Sequence, residues 1–151
     1  MSVTRKDEII AKLNEALQAE LKAVKMYLAH AEAIADPEIT KGLRTILEVE
    51  EGHARALMVR IKALNGQPAV DEGIEMPSHA GPRREPDVVA DMLRSDLDDE
   101  RWAIKHYAAA IAEFLPHSDD ETLTMLEENL IDELRHARWL RDQLHILVQP
   151  T

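Results

Sequence analysis

Hydrophobic side chains recur along the chain at alternating steps of three and four residues, the period of an amphipathic α-helix. Four segments carry such a stripe, and residues that favour turns separate them. The pattern predicts four helices, which run from about Thr4 to Asp36, from Pro37 to Asn65-Gly66, from near Pro86 to Pro116, and from Ser118 to about Leu147. Thr4 with Asp7 and Ser118 with Glu121 have the spacing of capping boxes, and Asp36 is a suitable cap before a first-turn proline.

The connections between these helices differ in length. The first and third connections are very short, so we expect two antiparallel hairpins. Residues 67–85 hold three of the seven prolines and are predicted to form a loop. About 20 extended residues can reach roughly 65 Å, which exceeds the roughly 45 Å length of a 30-residue helix. The prediction is an all-α fold: residues 1–151 form a single antiparallel four-helix bundle with a long crossover loop between helices 2 and 3.

The composition supports a helical protein and limits its partners. Hydrophobic residues make up 45% of the chain but aromatic residues only 3%, which favours helices over a β-sandwich. The net charge of -11 disfavours nucleic acid and anionic membrane and attracts cations, although solubility alone also explains it. Without cysteine, disulfides and thiolate sites are excluded. No apolar run has the length of a signal core or membrane span, so we expect a cytoplasmic protein.

Six polar residues interrupt the apolar stripes in a repeated order, a lone glutamate followed about 30 residues later by Glu-x-x-His. They are Glu20, Glu50 and His53 in the first half and Glu100, Glu133 and His136 in the second. Each group lies roughly 21–28 Å from its hairpin turn, so antiparallel helices place all six at one level. Buried carboxylates need cations or strong donors, and the stripes carry no Lys or Arg there. Four carboxylates and two imidazoles can hold two metal ions; a plain bundle with self-paired polar groups is the alternative.

Four short segments contain these residues and carry a resemblance. They are Glu20–Tyr27 (ELKAVKMY), Glu50–His53 (EEGH), Glu100–Tyr107 (ERWAIKHY) and Asp132–His136 (DELRH). With them the chain resembles the ferritin-like di-iron carboxylate superfamily, and bacterioferritin and rubrerythrin within it, over nearly its whole length. The resemblance implies two iron ions bridged by Glu50 and Glu133. Glu20 with His53 would complete one site, and Glu100 with His136 the other; manganese or zinc are alternatives to iron.

The chain departs from these families at several positions. Glu51 stands where bacterioferritin has its haem-binding Met, so no haem is expected. Val49 replaces an Asp that supports a histidine, whereas Asp132 on helix 4 is placed to orient His53, which would make the two sites unequal. Ala103 replaces an additional rubrerythrin glutamate, and a Cys-rich domain after the bundle is not expected. Only fifteen residues follow His136. We therefore expect no fifth helix and no 24-subunit cage, but a homodimer or small homo-oligomer.

Other polar and aromatic residues near the six have two interpretations each. Tyr27 and Tyr107 lie seven residues after a glutamate of the set. Each is a candidate catalytic residue that hydrogen-bonds a ligand carboxylate or supplies an electron, or else a core aromatic. Asp96, one turn before Glu100, is predicted to be a solvated helix-face acid rather than a residue that supports the metal ligands. We predict surface or core positions for His30, His106 and His145, loop positions facing water for His79 and His117, and packing or dimer contacts for Trp102 and Trp139.

The function that this pattern favours is ferroxidase chemistry, in which two Fe(II) ions bind and dioxygen or hydrogen peroxide oxidises both, with a role in iron handling or detoxification. Carboxylates stabilise the rising positive charge, and imidazole favours first-row metals over magnesium and calcium. The alternatives are a rubrerythrin-like peroxide reductase, a di-iron hydroxylase with an apolar pocket beside the metals, or a non-catalytic metal-binding bundle.

Overall fold

The computed structural model describes residues 4–69 and 82–149, and it confirms the four predicted helices. They are α1 (Arg5–Ala33), α2 (Pro37–Ala63), α3 (Pro86–Phe114) and α4 (Asp120–Leu147). Helix α1 packs against α2 and α3 against α4, and the two hairpins meet along α1 with α3 and along α2 with α4. The fold is therefore the predicted antiparallel four-helix bundle.

The helix starts follow from their caps. Thr4 and Asp7 form the predicted capping box of α1, and the Asp36 carboxylate accepts the N–H of Glu38 at 2.9 Å. The predicted cap of α4 at Ser118 is wrong by one residue. Asp119 is the cap, because its carboxylate accepts both the N–H and the hydroxyl of Thr122, at 2.8 and 3.0 Å, whereas Ser118 still donates its N–H to the end of α3.

The crossover explains why α1 ends at Ala33, three residues earlier than predicted. The N–H of Arg83 donates to the carbonyl of Ala33 at 2.6 Å, and the N–H of Ala35 donates to the carbonyl of Arg83 at 2.9 Å. At the other end of the crossover, the Asn14 side chain bonds the backbone of Gln67 at 3.0 Å. The connection thus leaves beside the first half of α1 and returns at its end, so the second hairpin starts at the far end of the bundle, as expected.

Two hydrophobic clusters fill the bundle on either side of a polar layer. One lies toward the α1–α2 turn and includes Leu43 and Leu93; the other lies toward the α3–α4 turn and includes Leu57 and Phe114. On every helix the six-residue set falls between the segments that supply these two clusters. Any charge in this layer is therefore walled by apolar side chains above and below, where solvation by water is poor.

Candidate metal centre

The structure brings all six predicted residues together in the bundle core. None of the six is more than 7% exposed. Their donor atoms form two overlapping clusters, within each of which every pair of atoms lies within 4.8 Å. The clusters are Glu20, Glu50, His53 and Glu133, and Glu50, Glu100, Glu133 and His136. Glu50 and Glu133 belong to both, which is the arrangement that two bridging carboxylates require.

Each histidine directs its Nδ1 atom at three carboxylates. The Nδ1 atom of His53 lies 3.3, 3.4 and 3.2 Å from oxygens of Glu20, Glu50 and Glu133. The Nδ1 atom of His136 lies 3.2, 3.3 and 3.4 Å from oxygens of Glu50, Glu100 and Glu133. The two halves of the centre are therefore close copies of each other.

Several of these atoms are buried without a hydrogen-bond partner. These unpaired atoms are one carboxylate oxygen of each of the four glutamates and the Nδ1 atom of His136. In the part of the chain that the structure describes, the ion pairs of these glutamates involve only the two histidines. Buried acceptors without donors are costly, and a pair of divalent cations would satisfy them. Carboxylate and imidazole ligands suit first-row transition metals, so the residues fit such a pair.

The charges of the protein groups perturb one another strongly. Burial, and then the charge of Glu20, raise the pKa of Glu50 well above its ordinary value; burial raises that of Glu100 to about 8. Burial alone would lower the pKa of His136, but the surrounding carboxylates, that of Glu100 first, raise it to about 12. The pKa of Glu133 is lowered although burial opposes this, because the Nδ1 atoms of His136 and His53, 3.4 and 3.2 Å from its carboxylate, favour its ionised form. Of the two shared glutamates, Glu50 therefore favours the protonated form and Glu133 the ionised form.

The two tyrosines support the lone glutamates across the bundle. The Tyr27 hydroxyl donates to Oε1 of Glu100 at 2.7 Å, and the Tyr107 hydroxyl donates to Oε1 of Glu20 at 2.7 Å. Each tyrosine thus supports the glutamate of the opposite hairpin rather than the one on its own helix. Burial first, and then the neighbouring carboxylates, raise the pKa of both phenols well above the usual value, so both hydroxyls stay protonated as donors.

Further polar side chains surround this centre, and sequence reasoning anticipated only one of them. Asp132 accepts a hydrogen bond from Nε2 of His53 at 2.9 Å, as its position predicted. The amide of Asn129 donates to the Tyr107 hydroxyl at 3.2 Å. Asn129 lies one turn before Glu133 on the buried face of α4, and this polar residue within an apolar stripe was an available signal.

The prediction of a solvated Asp96 is wrong. Asp96 is 2% exposed, and its carboxylate lies 2.8 Å from Nδ1 of His30, which is itself buried. Burial raises the pKa of Asp96, although the hydrogen bond with His30 opposes the shift. The position one turn before Glu100 faces inward because α1 supplies a histidine opposite it, and a contact between distant segments leaves no mark in the local pattern.

A cavity of about 670 Å³ reaches the centre between α1 and α3. The carboxylates of the four glutamates lie at its inner end, and its walls include Ala19, Ala23, Ala103 and Trp102. Polar residues also line it, namely Glu15, Gln18, Lys22, Asp98 and Asp99. Lys22 and Asp99, each partly exposed, form an ion pair of 3.3 Å that joins the two helices. Small solutes therefore have a route to the carboxylates from one side of the bundle.

Of the described residues, the others that the sequence analysis singled out contribute no donor atom to the centre. His117 and His145 are exposed, and His79 falls outside the described residues. The ring of His106 stacks on the half-exposed Trp102 with 4.7 Å between centroids, and Trp139 packs against the hydrophobic cluster near the α1–α2 turn. Along the described residues, no helix combines the length and apolarity needed to cross a lipid bilayer.

Comparison with known proteins agrees with this geometry. The sequence pattern of the ferritin-like domain family matches residues 10–148, and the chain belongs to that family. It is 29% identical over 142 residues to a bacterioferritin of Rhodobacter capsulatus, which covers 92% of this chain and 84% of that protein.

Two solved structures share the fold. The bacterioferritin-related dodecameric thioferritin of Bacteroides fragilis superposes with a TM-score of 0.78 at 23% identity, over 94% of this chain and 87% of that one. A ferritin-like, diiron-carboxylate protein of Bacillus anthracis gives a TM-score of 0.78 at 24% identity, over 94% of this chain and 99% of that one. The chain is thus a ferritin-like bundle with carboxylate and histidine clusters that can bind metal.

Proposed function

We propose that the protein is a ferroxidase: it binds two Fe(II) ions at the six-residue centre and transfers their electrons to dioxygen or hydrogen peroxide. The observation that carries this proposal is the pair of buried clusters sharing Glu50 and Glu133, with carboxylate oxygens that lack donors. Two close metals can share one oxygen ligand. Glu20 with His53 would hold one ion, and Glu100 with His136 the other.

The overall reaction balances without any further reductant. Two Fe(II) give two electrons, which with two protons reduce one dioxygen to hydrogen peroxide, or reduce one hydrogen peroxide to two waters. Anionic carboxylates stabilise the higher charge of Fe(III). Tyr27 and Tyr107 would keep the terminal glutamates oriented, and a role as electron donors stays a prediction. The cavity, with Glu15, Asp98 and Asp99 among its lining residues, is a route for the cation.

The similar proteins support iron as the substrate and an assembled state. One relative is a bacterioferritin and one structure a dodecamer by their names. We propose a cytoplasmic homo-oligomer for this chain, the homodimer being the smallest form. Manganese or zinc remain alternative occupants of the same ligands.

Stopped-flow absorbance after anaerobic loading tests the proposal. Two Fe(II) per chain, mixed with dioxygen or peroxide, should be oxidised fast, and Glu50→Ala with Glu133→Ala should abolish the fast phase because both shared ligands are lost. Glu48→Ala with Glu127→Ala is the matched control, since it removes the same charge from exposed positions on α2 and α4. Wild-type oxidation no faster than that of the Glu50/Glu133 variant would reject the ferroxidase.

The cavity favours a second candidate, a di-iron hydroxylase. Its volume of about 670 Å³ and its alanine and tryptophan walls suit a small organic molecule beside the carboxylates. Repeated Fe(II) additions separate the two functions. A ferroxidase oxidises each addition, whereas a hydroxylase oxidises only the first two ions per chain and then needs an external reductant and an organic substrate.

A further inference from the structure

The two hairpins repeat each other at a fixed spacing, so each half of the centre can be compared with the other. Adding 80 to a residue number on α1 gives its counterpart on α3, as for Glu20 and Glu100. Adding 83 on α2 gives the counterpart on α4, as for His53 and His136. The six donors match one to one under this rule, and so do the tyrosines. A difference at matched positions is therefore a difference between the two metal sites.

The first such difference concerns the histidines. Nε2 of His53 is held by the Asp132 carboxylate at 2.9 Å. The counterpart of Asp132 on α2 is Val49, which is half-buried and has no acceptor to offer His136. Among the described residues, the ion-pair contacts of His136 all involve its Nδ1 atom. Among the described residues, His53 thus has a carboxylate that accepts from its Nε2 atom, and His136 has no such ion pair.

The second difference concerns the lone glutamates and falls on the same side. Glu20 accepts from Tyr107, whose hydroxyl in turn accepts from the Asn129 amide at 3.2 Å. Glu100 accepts from Tyr27, but the residue on α2 that matches Asn129 is Ile46, which is buried and apolar. Both of these polar groups support the Glu20–His53 site. A further matched difference, the buried His30–Asp96 pair with counterparts Ala110 and Ala16, lies one turn from Tyr27 and Glu100, and its two members bond each other.

We propose that these outer polar groups make the two sites unequal: the ion on Glu20 and His53 is bound more tightly, and the ion on Glu100 and His136 is bound more weakly and exchanges faster. A carboxylate on Nε2 fixes the proton there, leaves Nδ1 free to ligate, and makes the imidazole more basic. Such outer partners typically change metal affinity about 10–100-fold. This inference rests on the proposed metal centre and adds the order in which its sites fill and empty.

Anaerobic titration calorimetry with Co(II), a redox-stable substitute for Fe(II), tests this order. Wild-type protein should bind two ions in two steps that differ about 10–100-fold in affinity. Asp132→Val makes the tight site resemble the weak one, so the tighter step should weaken by that factor while the weaker step stays. Val49→Asp supplies His136 with the missing carboxylate, so the weaker step should tighten and the two steps should approach each other.

Glu128→Val is the matched control, because it removes one negative charge from an exposed position on α4. Asp132 is partly exposed, with 33% of its side chain accessible, so we expect the Asp132→Val variant to fold. Its titration therefore tests the inference even if the Val49→Asp variant fails to fold. Two equal affinities in the wild type, or an Asp132→Val protein with both affinities unchanged, would overturn the inference and leave the ferroxidase standing. No Co(II) binding at all would reject the metal centre itself.

Discussion

Tyr107 and Tyr27 make equivalent hydrogen bonds, yet removing their hydroxyls should have unequal costs. Tyr107→Phe deprives the Glu20 carboxylate of a donor and also leaves the buried Asn129 amide without its acceptor. Tyr27→Phe deprives only Glu100 of a donor. Each lost bond to a buried carboxylate costs about 1.5–3 kcal/mol, and the stranded amide adds about 1–3 kcal/mol.

Urea unfolding of the two chelator-treated variants measures this difference. We expect Tyr107→Phe to lower the free energy of unfolding more than Tyr27→Phe does, and Tyr107→Phe combined with Asn129→Leu to recover part of the loss. Equal losses for the two single variants would contradict the assigned role of Asn129.

At this scale the sequence predicts well that the six residues meet in the core and predicts their polar neighbours poorly. Glu50 and His53 are separated by one helical turn on an apolar stripe, so spacing alone places both in the core. The contact of Asp96 with His30 joins residues 66 positions apart on different helices. Its geometry depends on how α1 faces α3, which no local pattern records.

Among the helices, Gly42 on α2 marks a place where a side chain of α4 packs directly against the backbone of α2. A Cβ atom added there would overlap the indole ring of Trp139 on α4. Glycine inside a helix ordinarily costs about 0.5–1 kcal/mol relative to alanine. Gly42→Ala should instead destabilise the protein by about 1–3 kcal/mol, because overpacking outweighs the gain in propensity.

Gly52 is the matched control on the same helix. A Cβ atom there would meet only the end of the Arg55 side chain, at 4.0 Å, so Gly52→Ala should stabilise the metal-free protein by about 0.5–1 kcal/mol. Urea unfolding measures both, and Gly42→Ala with Trp139→Leu should lose less than the sum of its single changes. Stabilisation by Gly42→Ala would show that Trp139 does not lie against α2.

The helices themselves were predictable because their stripes and caps are local. The errors lie at two helix ends. Asp119 rather than Ser118 caps α4, because the Ser118 N–H bonds the end of α3, and α1 ends early where Arg83, distant in sequence, bonds Ala33. The length of the loop allows the second hairpin to start at the far end of the bundle but does not require it. The hydrogen bonds at the two ends of the crossover show that the hairpin starts there.

Across the whole molecule, the buried charges predict an unusual pH dependence. The pKa of Glu100 is raised from 4.5 to about 8 and that of His136 from 6.5 to about 12. A raised folded-state pKa means that the folded protein binds the proton more tightly than the unfolded chain does. The resulting stability is complete below the unfolded pKa and is lost as pH rises through the folded one.

This stability is lost between pH 4.5 and about 8 for Glu100 and between pH 6.5 and about 12 for His136. Both groups therefore destabilise the folded protein as the pH rises. Thermal melts of chelator-treated protein should therefore show a lower melting temperature at pH 9 than at pH 6. Bound metal should reverse this trend, because ligands must shed protons to bind it, and Glu100→Gln should weaken the dependence. A melting temperature that rises from pH 6 to pH 9 without metal would contradict the assignment of buried protons.

Assembly is also a property at this scale. Trp102 is 48% exposed, and Ile131 and Leu134 on α4 are each 49% exposed. We expect light scattering to give at least twice the 17.1 kDa mass of one chain. A monomer at micromolar concentration would show that these residues do not form a stable interface.

The central claim is that six side chains from four helices bind two metal ions that share Glu50 and Glu133. Anomalous diffraction at the iron edge, from crystals loaded with Fe(II) without oxygen, tests it most directly. We predict two peaks per chain, about 3.5–4 Å apart, one beside Glu20 and His53 and the other beside Glu100 and His136. A single peak outside the bundle, or none in the layer between the two hydrophobic clusters, would contradict it.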